Sequence, residues 1–325
     1  MADAIGIDEL HYIAPTRRRG MRAAAAKYPR QVVATLWLLA RKRPRVVFVQ
    51  APPSFASWVV ALYAGLSGAI FVVDSHSDAF ERSIWTRPAW LNRWVARRAA
   101  TTITTNEHWA STLRSWGASA VVVPSVPAQL EVGDPPPLPD GFNVAVVNTW
   151  GFDEPVAEVL EAAAELPEAT FHVTGRIDRA AAYADRTPPN VRFTGFLSER
   201  TYNALLANSD AVMCLTTRDH TMQNGACEAM AVGTPIVTSD WPILREYFDE
   251  GTVHVDNTGP GIARGIQALI AEHPRFRAEV AALRERRQRE WEETRGRVIE
   301  IVNGRLGSRK RPKARIPRSV EADGP

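Results

Sequence analysis

Between Pro124 and Gly141 the chain reads PSVPAQLEVGDPPPLPDG, with six prolines and two glycines. Proline fixes its own φ and has no amide hydrogen, so neither a helix interior nor a central strand runs through such a stretch. It reads as a connector, with residues 128–140 as the linker proper, and it divides the 325 residues into two parts, in keeping with roughly 100–200 residues per domain. Before it, the β-rich runs RVVFVQ (45–50), AIFVVD (69–74) and TTITTN (101–106) are separated by helical patterns over Gln31–Arg43, Ser54–Ser67 and Trp90–Ala99. A further helix, His108–Trp116, leads to the strand AVVVP. After the connector the alternation starts afresh, with strands FNVAVVNT, ATFHVTG, VRFTG, AVMCLT, PIVTSD and TVHVDN. Helices are predicted over Glu154–Leu166, Ser198–Asn208 and Gly225–Val232, the second opened by Ser198 as N-cap. Strands alternating with helices at this spacing predict βαβ units and parallel sheets. The expected fold class is α/β: two Rossmann-like, doubly wound domains facing a cleft, over residues 1–127 and 141–273. A long charged helix over 274–305 and a basic, disordered tail over 306–325 complete the chain.

Composition narrows the function classes. Hydrophobic residues make up 45% and charged residues 23%, as in an ordinary soluble globular protein. The two cysteines, Cys214 and Cys227, form no C-x-x-C pair and lie near no histidine at ligand spacing, so no zinc site is expected. Few cysteines and no leader pattern fit a reducing cytoplasm. Ala51–Val73 is uncharged for 23 residues, long enough to span a bilayer. Pro52, Pro53, Gly65 and Gly68 break it, so it reads as helix, turn and buried strand. The net charge is only +3, yet RRRGMRAAAAKYPR and SRKRPKARIPR are locally basic. Such segments are solvated or attract an anionic lipid or substrate, which allows a peripheral position at the inner membrane face. They lack the interleaved aromatics of a nucleic-acid platform, so no nucleic acid is expected.

The most informative stretch is LTTRDHTMQNGACEAMAVGTPIVTSD: strand, polar loop, helix, Gly-Thr-Pro turn, strand. Helix-start amides and the helix dipole favour an anion such as a diphosphate, and glycine at Gly225 allows close approach to the backbone. Glu228 is predicted within the first turn, where it can accept hydrogen bonds from vicinal hydroxyls or simply favour the helix dipole. ACEAMAVGTPIVTSD resembles the second half of the donor-binding signature of GT-B glycosyltransferases of the family 4 type. The sheet–linker–sheet layout and the final helix are similar to that family over most of residues 45–305.

The resemblance implies transfer of a sugar from a nucleotide-diphospho-sugar, usually with retention, without a metal or other cofactor. It implies that Glu228 holds the ribose and that the amides near Gly225 and Ala226, with Arg176 after the strand ATFHVTG, hold the diphosphate. Arg218 belongs to the same donor-binding set. The family's first glutamate would stand eight residues before Glu228, where this chain has His220. Asp219 or His220 would therefore face the donor sugar. The customary lysine after Arg176 is also missing, with Arg179 the nearest substitute.

In the N-terminal half, VVDSHSDAF follows a strand end. His76 resembles the histidine that family members place near the donor sugar, and Asp74 and Asp78 are candidate acceptor-side groups. A metal reading of this Asp-x-His-x-Asp spacing lacks a fourth ligand. Asn106 and Glu107 either touch acceptor hydroxyls or cap a helix. Thr149, Asp153 and Glu154 border the site or cap the next helix. Trp85, Trp90 and Trp94 read as core or membrane-facing aromatics rather than a sugar platform. LHYIA is the one early strand, and the usual glycine-rich first βα unit is expected to be missing. The resulting expectation is a glycosyltransferase with a glycan or lipid-linked acceptor. An epimerase on the same scaffold and a non-catalytic binding protein are the alternatives.

Overall fold

The computed structural model describes residues 6, 7, 9–11, 13 and 21–310, and only the backbone of 21–26, 309 and 310. The chain forms two compact units. One holds residues 104–109 and 122–293; the other holds the described residues from 6 to 103, residues 110–121 and residues 294–310.

The N-terminal elements are α1 (Met21–Lys42), β1 (Val46–Ala51), α2 (Ser54–Ser67), β2 (Ile70–Ser75), α3 (Ala89–Arg98), β3 (Thr102–Thr104), α4 (Glu107–Ser115) and β4 (Ala120–Val122). Their strands make one sheet in the order β1-β2-β3-β4. β1 and β2 are parallel from Val46↔Ile70 to Ala51↔Ser75. Ile70 to Val73 are buried without interruption, which is why this strand reads as a continuous apolar run rather than an alternating one.

The uncharged stretch resolves as expected. α2 is a 14-residue helix ended by Gly68 at φ 76°, whose N–H returns to the Ala64 carbonyl, and β2 follows. Among the described residues no helix is long and apolar enough to cross a membrane. Two expectations change. α1 begins at Met21 and runs through Pro29, ten residues ahead of the helical pattern read from the sequence. Leu10, His11 and Ile13 of the expected strand LHYIA are not in a strand, and among the described residues β1 is the edge strand of its sheet; Tyr12 and Ala14 lie outside the described residues.

The second sheet comprises β5 (Phe142–Val146), β6 (Ala169–Thr174), β7 (Val191–Gly195), β8 (Ala211–Cys214), β9 (Ile236–Ser239) and β10 (Thr252–Val255). Its order is β10-β9-β8-β5-β6-β7, with every neighbouring pair parallel. The order reverses between β5 and β8. In open parallel sheets that switch point, at the carboxyl ends of the strands, is where ligands bind.

Period-2 alternation sends each strand's side chains into two cores. Val144, Val146, Ala211 and Met213 face one, with Val159, Leu160, Ile262 and Ile266 from α5 (Val156–Ala164) and α9 (Gly259–Ala271). Ala145, Val212 and Cys214 face the other, with Leu205, Leu206, Ala226, Met230 and Leu244 from α6 (Glu199–Asn208), α7 (Asn224–Val232) and α8 (Pro242–Tyr247). The final helix, α10 (His273–Lys310), adds Val280 and Leu283 to this second core and runs five residues past its expected end. The connector lies along α6: Gly133 N–H donates to the Arg200 carbonyl (3.0 Å), and the Asn203 amide donates to the Glu131 carbonyl (3.0 Å).

Candidate functional site

Three loops leave the sheet around the switch point. The loop after β5 carries Asn148 to Glu154, the loop after β6 carries Gly175 and Arg176, and the loop after β8 carries Thr216 to Gln223. Adjacency of β5 and β8 ties the first and last together. Thr216 Oγ1 donates to Asp153 Oδ2 (2.9 Å), and Thr217 N–H donates to the Asp153 carbonyl (2.7 Å). Thr216 N–H donates to Ser239 Oγ, whose hydroxyl donates to Asn257. The Thr216 carbonyl accepts from Trp241 Nε1 and Asn257 Nδ2. Glu154 folds back on its own loop, accepting from Thr149 N–H, Thr149 Oγ1 and Gly151 N–H. Thr149, Asp153 and Glu154 therefore shape the loops. They do not cap α5, whose N-cap position is Pro155 without a side-chain bond.

α7 starts at Asn224, after Gln223, with no acidic residue in its first turn. Glu228 thus sits in the second turn, and the first-turn expectation is corrected: the helix opens one residue earlier than the glycine suggested. The dipole reading of this carboxylate weakens accordingly, because that effect fades beyond the first turn. Glu228 is half-buried. Its Oε2 accepts a 2.6 Å hydrogen bond from the Tyr202 hydroxyl of α6, and Oε1 has no hydrogen bond among the described residues. Burial raises the Glu228 pKa and the Tyr202 bond opposes that rise. Burial, the Glu228 charge and the bond together raise that of Tyr202. Tyr202, 26 residues away in sequence, was not a candidate from sequence reasoning.

Gly225 and Ala226 are fully buried. A Cβ on Gly225 would stand 2.7 Å from Val147 Cγ1 and 3.0 Å from Cys214 Sγ. The glycine therefore lets the first turn of α7 lie against the ends of β5 and β8; its bare side faces protein. Burial pushes the nearby Cys214 and Cys227 thiols up to about 12, which disfavours the thiolate.

The loop before α7 is held in one shape. His220 adopts φ 54°, in the left-handed region. Its N–H donates to Asp219 Oδ1 (2.6 Å), and its ring Nε2 lies 3.6 Å from Asp219 Oδ2. Its ring stacks on His108 at 3.9 Å, 9° from parallel. The Asn106 amide donates to the His220 carbonyl (3.0 Å), and Asn106 Oδ1 accepts Trp109 N–H (3.1 Å). Asn106 is thus the capping residue of α4 and an anchor for the 216–223 loop, with both polar ends occupied. Glu107 opens α4. The Arg218 guanidinium lies 5.8 Å from the ring of the exposed Phe152.

Gly175 ends β6 at φ 98°, and a Cβ there would fall onto the Asn148 carbonyl and the Trp150 indole. Arg176, next along, is half-buried and forks onto the exposed Asp178, Nε to Oδ1 at 2.9 Å. That fork holds the Asp178 carboxyl below its usual range. Arg179 is exposed. In the N-terminal unit, His76 Nε2 lies 3.1 Å from Gln50 Nε2 and 3.7 Å from Asp74 Oδ2. Asp74 raises the imidazole pKa against the burial that lowers it. Asp78 pairs with Arg82 (3.2 Å). Trp85 and Trp94 are half-buried and Trp90 is exposed. Among the described residues no group of three or more His, Cys, Asp or Glu is arranged to hold a metal ion.

The two-sheet architecture is that of GT-B proteins. Sucrose-phosphate synthase from Thermosynechococcus elongatus superposes with a TM-score of 0.70 at 17% identity, over 91% of this chain and 82% of that one. HepE from Anabaena, solved with UDP, gives 0.65 at 14% identity, over 85% and 82%; the same protein has also been solved with UDP-glucose. A Listeria monocytogenes protein named as a UDP-N-acetylglucosamine 2-epimerase gives 0.58 at 13% identity, over 90% and 81%. No curated protein matches by sequence. A glycosyl transferase 4-like domain matches residues 6–128, and a glycosyl transferase-like domain matches residues 155–302. The chain belongs to the GT-B glycosyltransferases of the family 4-like type.

Proposed function

We propose that this glycosyltransferase takes its sugar from a nucleotide-diphospho-sugar bound at the β5–β8 switch point, and transfers it with retention to a glycan or lipid-linked acceptor. The observation that carries the reading is Glu228. Its carboxylate is fixed through one oxygen by Tyr202 at 2.6 Å, beside the start of a helix at the carboxyl end of a parallel sheet. A carboxylate oriented in this way accepts hydrogen bonds from the two ribose hydroxyls. The amides that open α7 at Asn224, with Arg176, meet the diphosphate and offset the charge that develops on the leaving group, while the buried Gly225 lets that turn lie against β5 and β8. Arg176 exchanges Asp178 for the ligand when it does so. Arg218 supports the same end of the donor. Asp219 and His220 face the donor sugar, and His76, with Asp74 and Asp78, belongs to the acceptor side. No metal is required, because helix amides and arginine supply the positive charge. The enzyme works in the cytoplasm.

UDP- and GDP-sugars tested by thermal shift check the donor assignment, since a ligand that binds only the folded state raises Tm. Wild-type protein is expected to shift and Glu228→Ala is not. The rival is an epimerase on the same scaffold, favoured by the Listeria neighbour. Consumption of donor without any acceptor identifies it.

A further inference from the structure

We propose that α1, α2 and the 83–98 region form a docking face for an anionic phospholipid bilayer. This deepens the lipid-linked acceptor reading and makes no use of the donor site.

A surface helix normally turns its polar side to water; α1 sends Leu39 into the core yet carries large apolar side chains on its exposed side as well. Val33 and Trp37 lie on its exposed side, Trp37 at 62% exposure, with Arg30 and Arg41 at either end of the same stripe. Leu62 and Leu66 stand exposed one turn apart on α2, Leu66 at 82%. Trp90 at the start of α3 is 70% exposed. Single exposed apolar residues carry no information, but contiguous ones rimmed by charge mark an interaction surface. These elements are neighbours: the Tyr28 ring of α1 meets Phe55 of α2 at 5.0 Å and Trp85 at 6.1 Å. Trp58 Nε1 of α2 donates to Asn92 Oδ1 of α3 at 2.8 Å.

Charge selects the occupant. The α1 segment carries Arg22, Lys27, Arg30, Arg41 and Lys42 and no acid of its own, and residues 82–106 include Arg87, Arg93, Arg97 and Arg98 and no acid; nearby acids pair with Lys42 (Glu9) and Arg82 (Asp78), and the basic groups outnumber them. Arg41 lies over the exposed Trp37 ring at 5.5 Å. Paired in this way, an aromatic ring enters the headgroup boundary while its arginine reaches the phosphates. Of the segments outside the described residues, PTRRRG (15–20) and RPKARIPRSVEADGP (311–325) are net basic. The mode proposed is attachment to one leaflet, driven by apolar burial and by the attraction of basic residues to anionic headgroups.

The test uses the full chain, pelleted with vesicles of phosphatidylcholine alone or of equal parts phosphatidylcholine and phosphatidylglycerol. Protein is expected in the pellet with the mixed vesicles only, and salt should release it. The double variant Trp37→Ser/Leu66→Ser is expected to weaken that binding on the order of tenfold or more, and Arg41→Gln about fivefold. Both apolar positions are exposed, so Tm and the nucleotide-sugar shift should stay as in wild type. That control separates this face from the donor site: a wild-type protein that pellets but binds no donor would sink the donor reading alone. Equal pelleting with both vesicle types, no pelleting at all, or a double variant that pellets like wild type overturns the proposal. So does a dimer that Trp37→Ser abolishes, because the face then belongs to a second copy of the chain.

Discussion

Replacing Tyr202 by phenylalanine removes one oxygen and nothing else, and that oxygen donates the 2.6 Å bond to Glu228 Oε2. A hydrogen bond to a charged group contributes about 1.5–3 kcal/mol. At roughly 2–4 °C per kcal/mol for a protein unit of this size, Tyr202→Phe should lower Tm by about 3–12 °C at neutral pH. The same change alters the titration of Glu228. Burial raises its pKa and the Tyr202 bond holds it down, so without the hydroxyl the pKa rises further. A raised folded pKa means stability that is present below the unfolded value and lost as pH rises through the folded one. The variant's deficit should therefore shrink on acidification. Donor binding needs the ionised carboxylate, so its low-pH loss should set in at a higher pH in the variant. A loosened ribose contact worth about 1.4 kcal/mol is a tenfold weaker Kd. Calorimetric titration with a nucleotide-sugar across pH reads both effects. An unchanged Kd with an unchanged pH midpoint would refute the coupling of Tyr202 to Glu228.

Two further outcomes are expected. Gly225→Ala should lower Tm by the overpacking penalty of about 1–3 kcal/mol, since the added carbon meets Val147 and Cys214; an unchanged melting curve would show that the start of α7 yields freely. His172 is buried, its Nε2 sits 2.9 Å from Asn143 Oδ1, and burial with the Arg192 charge lowers its pKa to about 4. Its stabilisation is present above pH 6.5 and lost as pH falls towards 4, about 3 kcal/mol in all. His172→Gln should flatten the acid limb of a Tm–pH profile, and a limb of unchanged depth would count against this histidine as its source.

The strands were legible because parallel strands covered on both faces are unbroken apolar runs; Ile70–Val73 and Val144–Val146 show why. Helices that break propensity were not. α9 opens with Gly259-Pro260-Gly261, which reads as a turn. It forms because Thr258 caps Gly261 N–H and because its glycines fit against Glu161, Asp256 and Val255. In the candidate site, the strand-loop-helix pattern around Gly225 was legible as the start of a helix after β8, and the two-residue spacing of Arg176 and Asp178 could have revealed their pairing. The Tyr202–Glu228 bond and the Asp153–Thr216 tie join residues 26 and 63 apart. They follow from helix packing and from the β5–β8 adjacency, which residue spacing does not encode. The inward face of Gly225 likewise needed the coordinates of Val147 and Cys214.

The most direct measurement of donor binding at the switch point is the thermal shift of wild-type and Glu228→Ala protein across a panel of UDP- and GDP-sugars. A rise in Tm with at least one nucleotide-sugar, absent from Glu228→Ala, is the expected result. An equal rise in the variant would contradict the assignment of Glu228 as the ribose-holding residue, and no rise with any nucleotide-sugar in wild type would contradict the donor site itself.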